Sequence, residues 1–185
     1  MAISNGLRNQ IANKNFLSPI GFKFILNRAP KIAFFSNQSV IPGFTLGTAT
    51  QPTYLKDIDV PGDKLQFNDF ALRFLVDEDL ENYMEVQKWM RGLGFPEDLK
   101  QIYDLQKNTT APSDDKSMNI FSDATLQILS SVQKPNFKIK FQDLFPVQLS
   151  DLVFDATDTD IDYLTAEVTF KYTIYNIVDL NDNPL

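Results

Sequence analysis

Between Val60 and Trp89 the chain reads VPGDKLQFNDFALRFLVDEDLENYMEVQKW, a turn signal, an alternating strand and a helix start in immediate succession. Proline presets φ and glycine accepts φ > 0, so Pro61-Gly62-Asp63 predicts a turn feeding a strand. Leu65 and Phe67 alternate with polar neighbours, Asn68-Asp69 interrupt, and Phe70, Leu72, Phe74 and Val76 resume one residue out of phase. That phase slip predicts a bulge near Asn68. Asp77 is the expected N-cap, Glu78, Asp79 and Glu81 place negative charge in the first turn, and Gly92 or Gly94 supplies a C-terminal stop. Tyr83, Val86, Trp89, Met90 and Leu93 fall on one helical face, so this helix is expected to cover a hydrophobic sheet, with Trp89 in the core.

What the chain lacks narrows its chemistry further. It has 185 residues, enough for one domain with a substantial core, and neither cysteine nor histidine. Disulfides, thiolate nucleophiles, the usual general base and the common zinc ligands are thereby excluded. Carboxylate pairs or Ser/Lys arrangements remain, and neither leaves a recognisable spacing. No apolar run approaches the roughly 18 to 20 residues that span a bilayer, and residues 1–15 lack the apolar core of a signal peptide. The sequon at Asn108-Thr109-Thr110 therefore carries no expected glycan. A net charge of −7 opposes a protein that grips nucleic acid through a basic stripe, and is compatible with a wall that DNA slides past.

Elsewhere the pattern is mainly β. Leu7 and Ile11 suggest a short helix or an arm in residues 1–15. Phe22 to Leu26 and Lys31 to Ser36 read as a hairpin closed by Asn27-Arg28-Ala29-Pro30. Val40 to Asp63, bounded by two Pro-Gly pairs, predicts an extended loop or hairpin projecting from the body. Pro96 opens a second short helix carrying Leu99, Ile102 and Tyr103, and residues 107–117, KNTTAPSDDKS, form an exposed loop. Strands follow at Asp123 to Leu129 and around Phe137, Ile139 and Phe141, the last with Lys138 and Lys140 on a solvent face. A strict period of two through Ala166, Val168, Phe170, Tyr172 and Ile174 marks the clearest strand. Seven or more strands and one long helix imply a mainly β, α+β fold, an antiparallel sandwich or barrel with a helix packed on it.

Two candidate sites stand out. The acidic run Asp155 to Asp162 has the oxygens a hard cation wants, but read as an EF-hand it puts Tyr163 where glycine is needed and Thr169 where the bidentate glutamate belongs. A solvated turn is expected there, with no metal and no cofactor. Tyr54, Tyr163 and Tyr175 form a possible surface row for stacking on sugars or on a protein partner.

With Leu144-Phe145-Pro146-Val147-Gln148-Leu149-Ser150, Asp155 and Thr165 to Tyr172 added, the chain resembles the tail-tube proteins of contractile phage tails. The matching elements are the early strand Phe22 to Leu26, Ile41-Pro42-Gly43, Pro61-Gly62-Asp63 with Phe67 to Val76, Asp77-Glu78 with Trp89, and Phe145-Pro146 with Val168 to Tyr172. They cover roughly residues 16 to 178, and their order is more specific than any one of them. The resemblance implies a tail-tube-like domain over 16–178 with an insertion at 95–122, an arm at 1–15 and a tail at 179–185. It implies a non-enzymatic virion protein, assembled in the host cytoplasm into hexameric rings that stack around a DNA lumen. Partners would be other copies, the sheath, and baseplate or terminator proteins, with no membrane and no specific DNA binding. Interface residues by this resemblance are Pro42, Gly43, Phe44, Tyr54, Pro61 and Gly62. A baseplate tube initiator or a tail terminator of the same fold is the nearest alternative; a soluble β-sandwich carbohydrate-binding module and a carboxylate glycosidase are the alternatives of other classes.

Overall fold

The computed structural model describes residues 16–107, 120–155 and 163–185. Nine strands and three helices lie in these residues: β1 (Phe22–Leu26), α1 (Pro30–Phe34), β2 (Ser36–Ser39), β3 (Phe44–Gln51), β4 (Ile58–Phe67), β5 (Phe70–Leu75), α2 (Glu81–Gly94), α3 (Lys100–Lys107), β6 (Ser122–Leu129), β7 (Pro135–Leu149), β8 (Thr165–Lys171) and β9 (Ile174–Val178). Seven strands form one antiparallel sheet in the order β1-β6-β7-β8-β5-β2, with β9 also paired to β7. Strands β3 and β4 pair only with each other. The architecture is the mainly β, antiparallel one that the alternating pattern predicts.

β7 joins the two halves of the sheet. Its first part lies between β6 and β9, and its last part, from Phe145 to Leu149, pairs with β8. At the join Asp143 has φ 54, a left-handed backbone that bends a strand, and its N–H donates to the Asp123 carboxylate at 3.3 Å. The predicted last strand bends at the same level. It is two strands, β8 and β9, separated at Tyr172-Thr173, and the Thr173 N–H still donates to the Gln142 carbonyl at 3.0 Å. The predicted period of two slips at this bend: Tyr172 and Tyr175 pack on the core, and Ile174 is exposed.

The fold buries alternate residues of β1, β5, β6, β8 and the first part of β7 between the two halves. Phe24, Phe70, Phe74, Phe141, Phe170, Leu72, Leu126, Ile139 and Val168 are all buried. Phe70 is fully buried and lies with its ring centroid 4.6 Å from Phe141, 5.5 Å from Phe24 and 6.1 Å from Phe170. Helix α2 covers this core with Val86 and Trp89 buried and Tyr83, Met90 and Leu93 half-buried, as its spacing predicts. The Trp89 indole N–H donates to the Ile120 carbonyl at 3.0 Å, and the Arg28 guanidinium lies 5.3 Å from its ring centre.

Several local expectations give way. Lys31 to Ser36 is not a returning strand: Pro30 suits the first turn of a helix, and α1 buries Ile32. β1 and β2 consequently do not pair, each adding instead to a different end of the sheet. Asn68-Asp69 is a break between two strands in different sheets rather than a bulge. Pro61-Gly62-Asp63 is no turn, since it lies inside β4 opposite Thr48.

Helix α2 also begins later than the acidic run suggests. Leu80 holds the N-cap position with φ 58, and Asp77 instead accepts from the Asn82 N–H at 3.4 Å. Buried Asn82 completes the lock by donating to the Leu75 carbonyl at 2.7 Å and accepting from the Asp77 and Tyr83 amides. The stop belongs to Phe95, at φ 33, rather than to a glycine. Gly92 is buried inside α2, where a Cβ would stand 2.9 Å from the Leu105 side chain of α3. Helix α3 starts at Lys100 rather than at Pro96, because residues 95–99 stay non-helical; its Leu105 packs on the core, its Tyr103 is exposed, and Leu99 is exposed just ahead of it. The arm predicted in residues 1–15 and most of the loop predicted at 107–117 lie outside the described residues.

Phe70→Ala should lower unfolding free energy by about 3–5 kcal/mol, the range for deleting a buried phenyl ring. Urea unfolding followed by Trp89 fluorescence measures it.

Candidate assembly interface

Hairpin β3–β4 is an arm. All eight residues of β3 are exposed, and in β4 only Val60, Gly62 and Phe67 are half-buried. At 3.4 Å per residue β3 alone extends about 27 Å. A two-stranded ribbon of this kind is marginal in water without something to pack on. It nevertheless presents Phe44, Leu46, Leu55, Ile58 and Leu65 as exposed apolar side chains, with Tyr54 fully exposed at its tip.

The register decides how these groups are displayed. Phe44 faces Phe67 and Leu46 faces Leu65 near the root, whereas Ala49–Val60 and Gln51–Ile58 are the apolar-bearing pairs toward the tip. Because successive residues alternate sides, the root pairs and the tip pairs lie on opposite faces of the ribbon. Between them the register shifts at Gly47. Here Gly62 approaches so closely that a Cβ would lie 2.6 Å from the Gly47 carbonyl oxygen. No other residue fits that crossing without moving a strand. Pro61 sits on the same stretch and offers no N–H, which is tolerated because β4 has no second neighbour among the described residues.

The arm is anchored by aromatic rings. Phe67 lies 6.1 Å from Phe44, 6.1 Å from Tyr172 and 5.7 Å from Tyr175, and both tyrosines reach Phe141 of the core at 5.1 and 5.8 Å. Tyr172 donates its hydroxyl to the Asn68 carbonyl at 2.8 Å, and Tyr175 donates to the Pro42 carbonyl at 2.9 Å. Lys171 and Asp69 add an ion pair at 3.0 Å. Burial, helped by the nearby Tyr175 and Asp69, pushes the Tyr172 hydroxyl up to about 12.

These contacts sort the sequence-derived candidates. Phe44, Tyr54 and Pro61 lie exposed on the arm, Gly43 is exposed at its root, and Gly62 forms the strand crossing. Pro42 is buried against its own chain and holds the root. Tyr175 is likewise absorbed into the root cluster, so Tyr54, Tyr163 and Tyr175 do not make a uniform surface row. Sequence reasoning missed Leu46, Leu65 and the anchoring pair Tyr172 and Tyr175. The signal for Leu46 and Leu65 was the alternation on either side of Gly47 and Asp63.

Residues 156–162, the greater part of the predicted acidic turn, lie outside the described residues. Among those described, no group of three or more carboxylates stands close enough to hold a metal ion. A groove between α2 and α3 mixes Arg28, Glu85, Lys88 and Arg91 with Glu97 and Asp104. Arg91 and Glu97 are ion-paired there, and burial pushes the Glu85 carboxyl up. No helix of the described residues is long and apolar enough to cross a membrane.

A sandwich carrying an exposed, apolar two-stranded arm presents a surface suited to packing against protein. The chain is a member of the phage tail tube protein family, whose model matches residues 7–178, and is a component of a phage tail. No match is found among curated protein sequences. Among solved structures it is similar to a chain of the anti-feeding prophage baseplate, with 11% identity over 91% of this chain and 98% of that one and a TM-score of 0.56. It is also similar to a chain of the extended PVC sheath-tube complex of an extracellular contractile injection system, with 14% identity, 97% and 100% coverage and a TM-score of 0.55. A chain of the anti-feeding prophage tube-terminating cap is similar too, with 13% identity, 95% and 99% coverage and a TM-score of 0.57. At these identities the similarity establishes the shared fold.

Raising the Tyr172 pKa to about 12 stabilises the fold fully below the unfolded value near 10, and that contribution disappears as pH rises through 12. Tyr172→Phe should therefore cost about 1 kcal/mol at pH 8 through the lost bond to Asn68, and should flatten the fall in stability between pH 10 and 12. Urea titrations of both proteins at pH 8, 10 and 11.5 measure this.

Proposed function

We propose that this chain is the non-enzymatic inner-tube subunit of a contractile phage tail, forming hexameric rings that stack head to tail around a conduit for DNA. The observation that carries this reading is the β3–β4 arm. Among the described residues it pairs with no other strand, it exposes apolar side chains on both faces, and it is fixed to the core by the aromatic root. A surface of this kind is covered by protein. Contacts between unlike patches of identical subunits generate rings and stacks, the geometry a tube requires. Sheet edges at β1 and β2 provide further places where neighbouring copies add strands, which removes the hazard of open edges.

In this assembly Gly43, Phe44, Tyr54, Pro61 and Gly62 lie at the contact between copies, and Pro42 supports it from within. Similar folds occur in a sheath-tube complex, a baseplate and a tube cap, which supports the sheath and the baseplate or terminator as further partners. The same resemblance keeps a tube initiator or terminator as the second reading. The number of copies per tail separates the roles, since a tube subunit far outnumbers either end protein. A net charge of −7 suits a lumen that DNA passes without sticking.

Tyr54→Asp places a charge at the exposed tip, away from the anchoring rings. It should abolish rings or tubes in negative-stain images while leaving the circular dichroism spectrum and urea midpoint of the monomer within about 0.5 kcal/mol of the parent. Unchanged assembly would remove the arm tip from the interface.

A further inference from the structure

The last seven residues of the chain do not trail from β9; they return along it. The Asp179 N–H donates to the Asn183 carbonyl at 2.8 Å and the Leu185 N–H donates to the Ile177 carbonyl at 3.3 Å, bracketing an antiparallel bridge between Val178 and Pro184. On their other flank Ile177 and Val178 pair with Ile139 and Lys138 of β7. A strand has only two hydrogen-bonding edges, so the returning segment occupies the outer edge of β9 over its last two residues, Ile177 and Val178.

The turn that brings it back is built from its own side chains. Asp179 accepts from the Asn181 and Asn183 amides at 2.7 and 2.8 Å, and Asn183 also donates through its side chain at 3.1 Å. Asp182, at φ 69, then reaches across to β7, where its carboxylate lies 3.2 Å from Lys138 Nζ and 3.0 Å from Lys140 Nζ. Lys138 also donates to the Leu180 carbonyl at 3.0 Å. The lysine face expected to meet only solvent is therefore the fastening for this segment. Pro184 lacks an N–H, so the cover itself is a poor template for another strand.

We propose that Asp179–Leu185 is a releasable strap that shields the Ile177–Val178 end of the outer edge of β9 from strand pairing with a second copy of this chain, fastened by Asp182 on Lys138 and Lys140. Ion pairs this exposed are individually weak, so a docking strand can displace the strap once the copies are held together. Edge pairing at β9 is thus conditional, and isolated subunits are kept apart until another contact has brought them into register. The inference rests on the self-associating role proposed above.

Asp182→Lys tests it by adding a third cation to the two lysines. Amide exchange at Asp179 and Leu185, whose N–H groups close the bridge, and at Asn181 and Asn183 in the turn should accelerate, and sedimentation velocity should show assembly at a several-fold lower concentration. Restoring the opposite sign, with Lys138→Asp and Lys140→Asp in the Asp182→Lys chain, should return both readouts toward the parent. Unchanged exchange overturns the fastening. Faster exchange with an unchanged assembly threshold overturns the shielding role and leaves the arm reading intact, because the arm is tested separately through Tyr54. Assembly weakened by strap release shows the segment to be part of the contact, which also overturns it. If neither the parent nor any variant assembles at any concentration, the tube reading fails and this one with it.

Discussion

An unbroken run of aromatic contacts connects the interior of this protein to its most exposed part. From Phe24 it passes through Phe70 and Phe141 to Tyr172 and Tyr175, then through Phe67 to Phe44 at the base of the arm. Aromatic pairs at such separations add to the energy of burial and prefer particular relative orientations. The arm is marginal as an isolated ribbon, so its direction depends on this run and on the two tyrosine hydroxyls that bond Asn68 and Pro42. A core ring that shifts will therefore shift the arm.

Most of the β framework was legible because its signal is local. Alternation in Phe70 to Val76, Asp123 to Leu129 and Ala166 to Phe170 reports burial on one face, and every one of these runs is a strand. The face of α2 was equally plain, since Val86 and Trp89 lie one helical turn apart. What failed depended on tertiary context. Pro61-Gly62 is a turn signal in most settings, yet here a proline tolerates the strand because β4 has a free edge, and the glycine is required by the passing Gly47 carbonyl. Asp77 looked like a cap because local charge favoured it, but Asn82, which bonds Leu75 on the preceding strand, sets the entry to the helix.

The candidate interface divides in the same way. A projecting segment within Val40 to Asp63 was foreseeable from its two Pro-Gly pairs, and the exposed positions Phe44 and Tyr54 lie on it. The distinction between residues that hold the arm and residues that display it was invisible, because Pro42 and Tyr175 are 133 positions apart in the chain and meet only after folding. The strap was hidden for a related reason. Nothing in DLNDNPL announces that one aspartate will neutralise two lysines from a strand some forty residues earlier.

The length of β7 has a mechanical side. Its fifteen residues run through both halves of the sheet with one bend at Asp143, flanked by β6 on one side and by β9 and then β8 on the other. A pull directed along this strand loads both ladders in shear, so many hydrogen bonds share the force and must yield together. Peeling an outer strand such as β1 would instead break its bonds one at a time. The subunit is consequently stiff along one line and compliant at its margins, and a load entering by the arm root at Tyr172 and Tyr175 arrives directly at the stiff line.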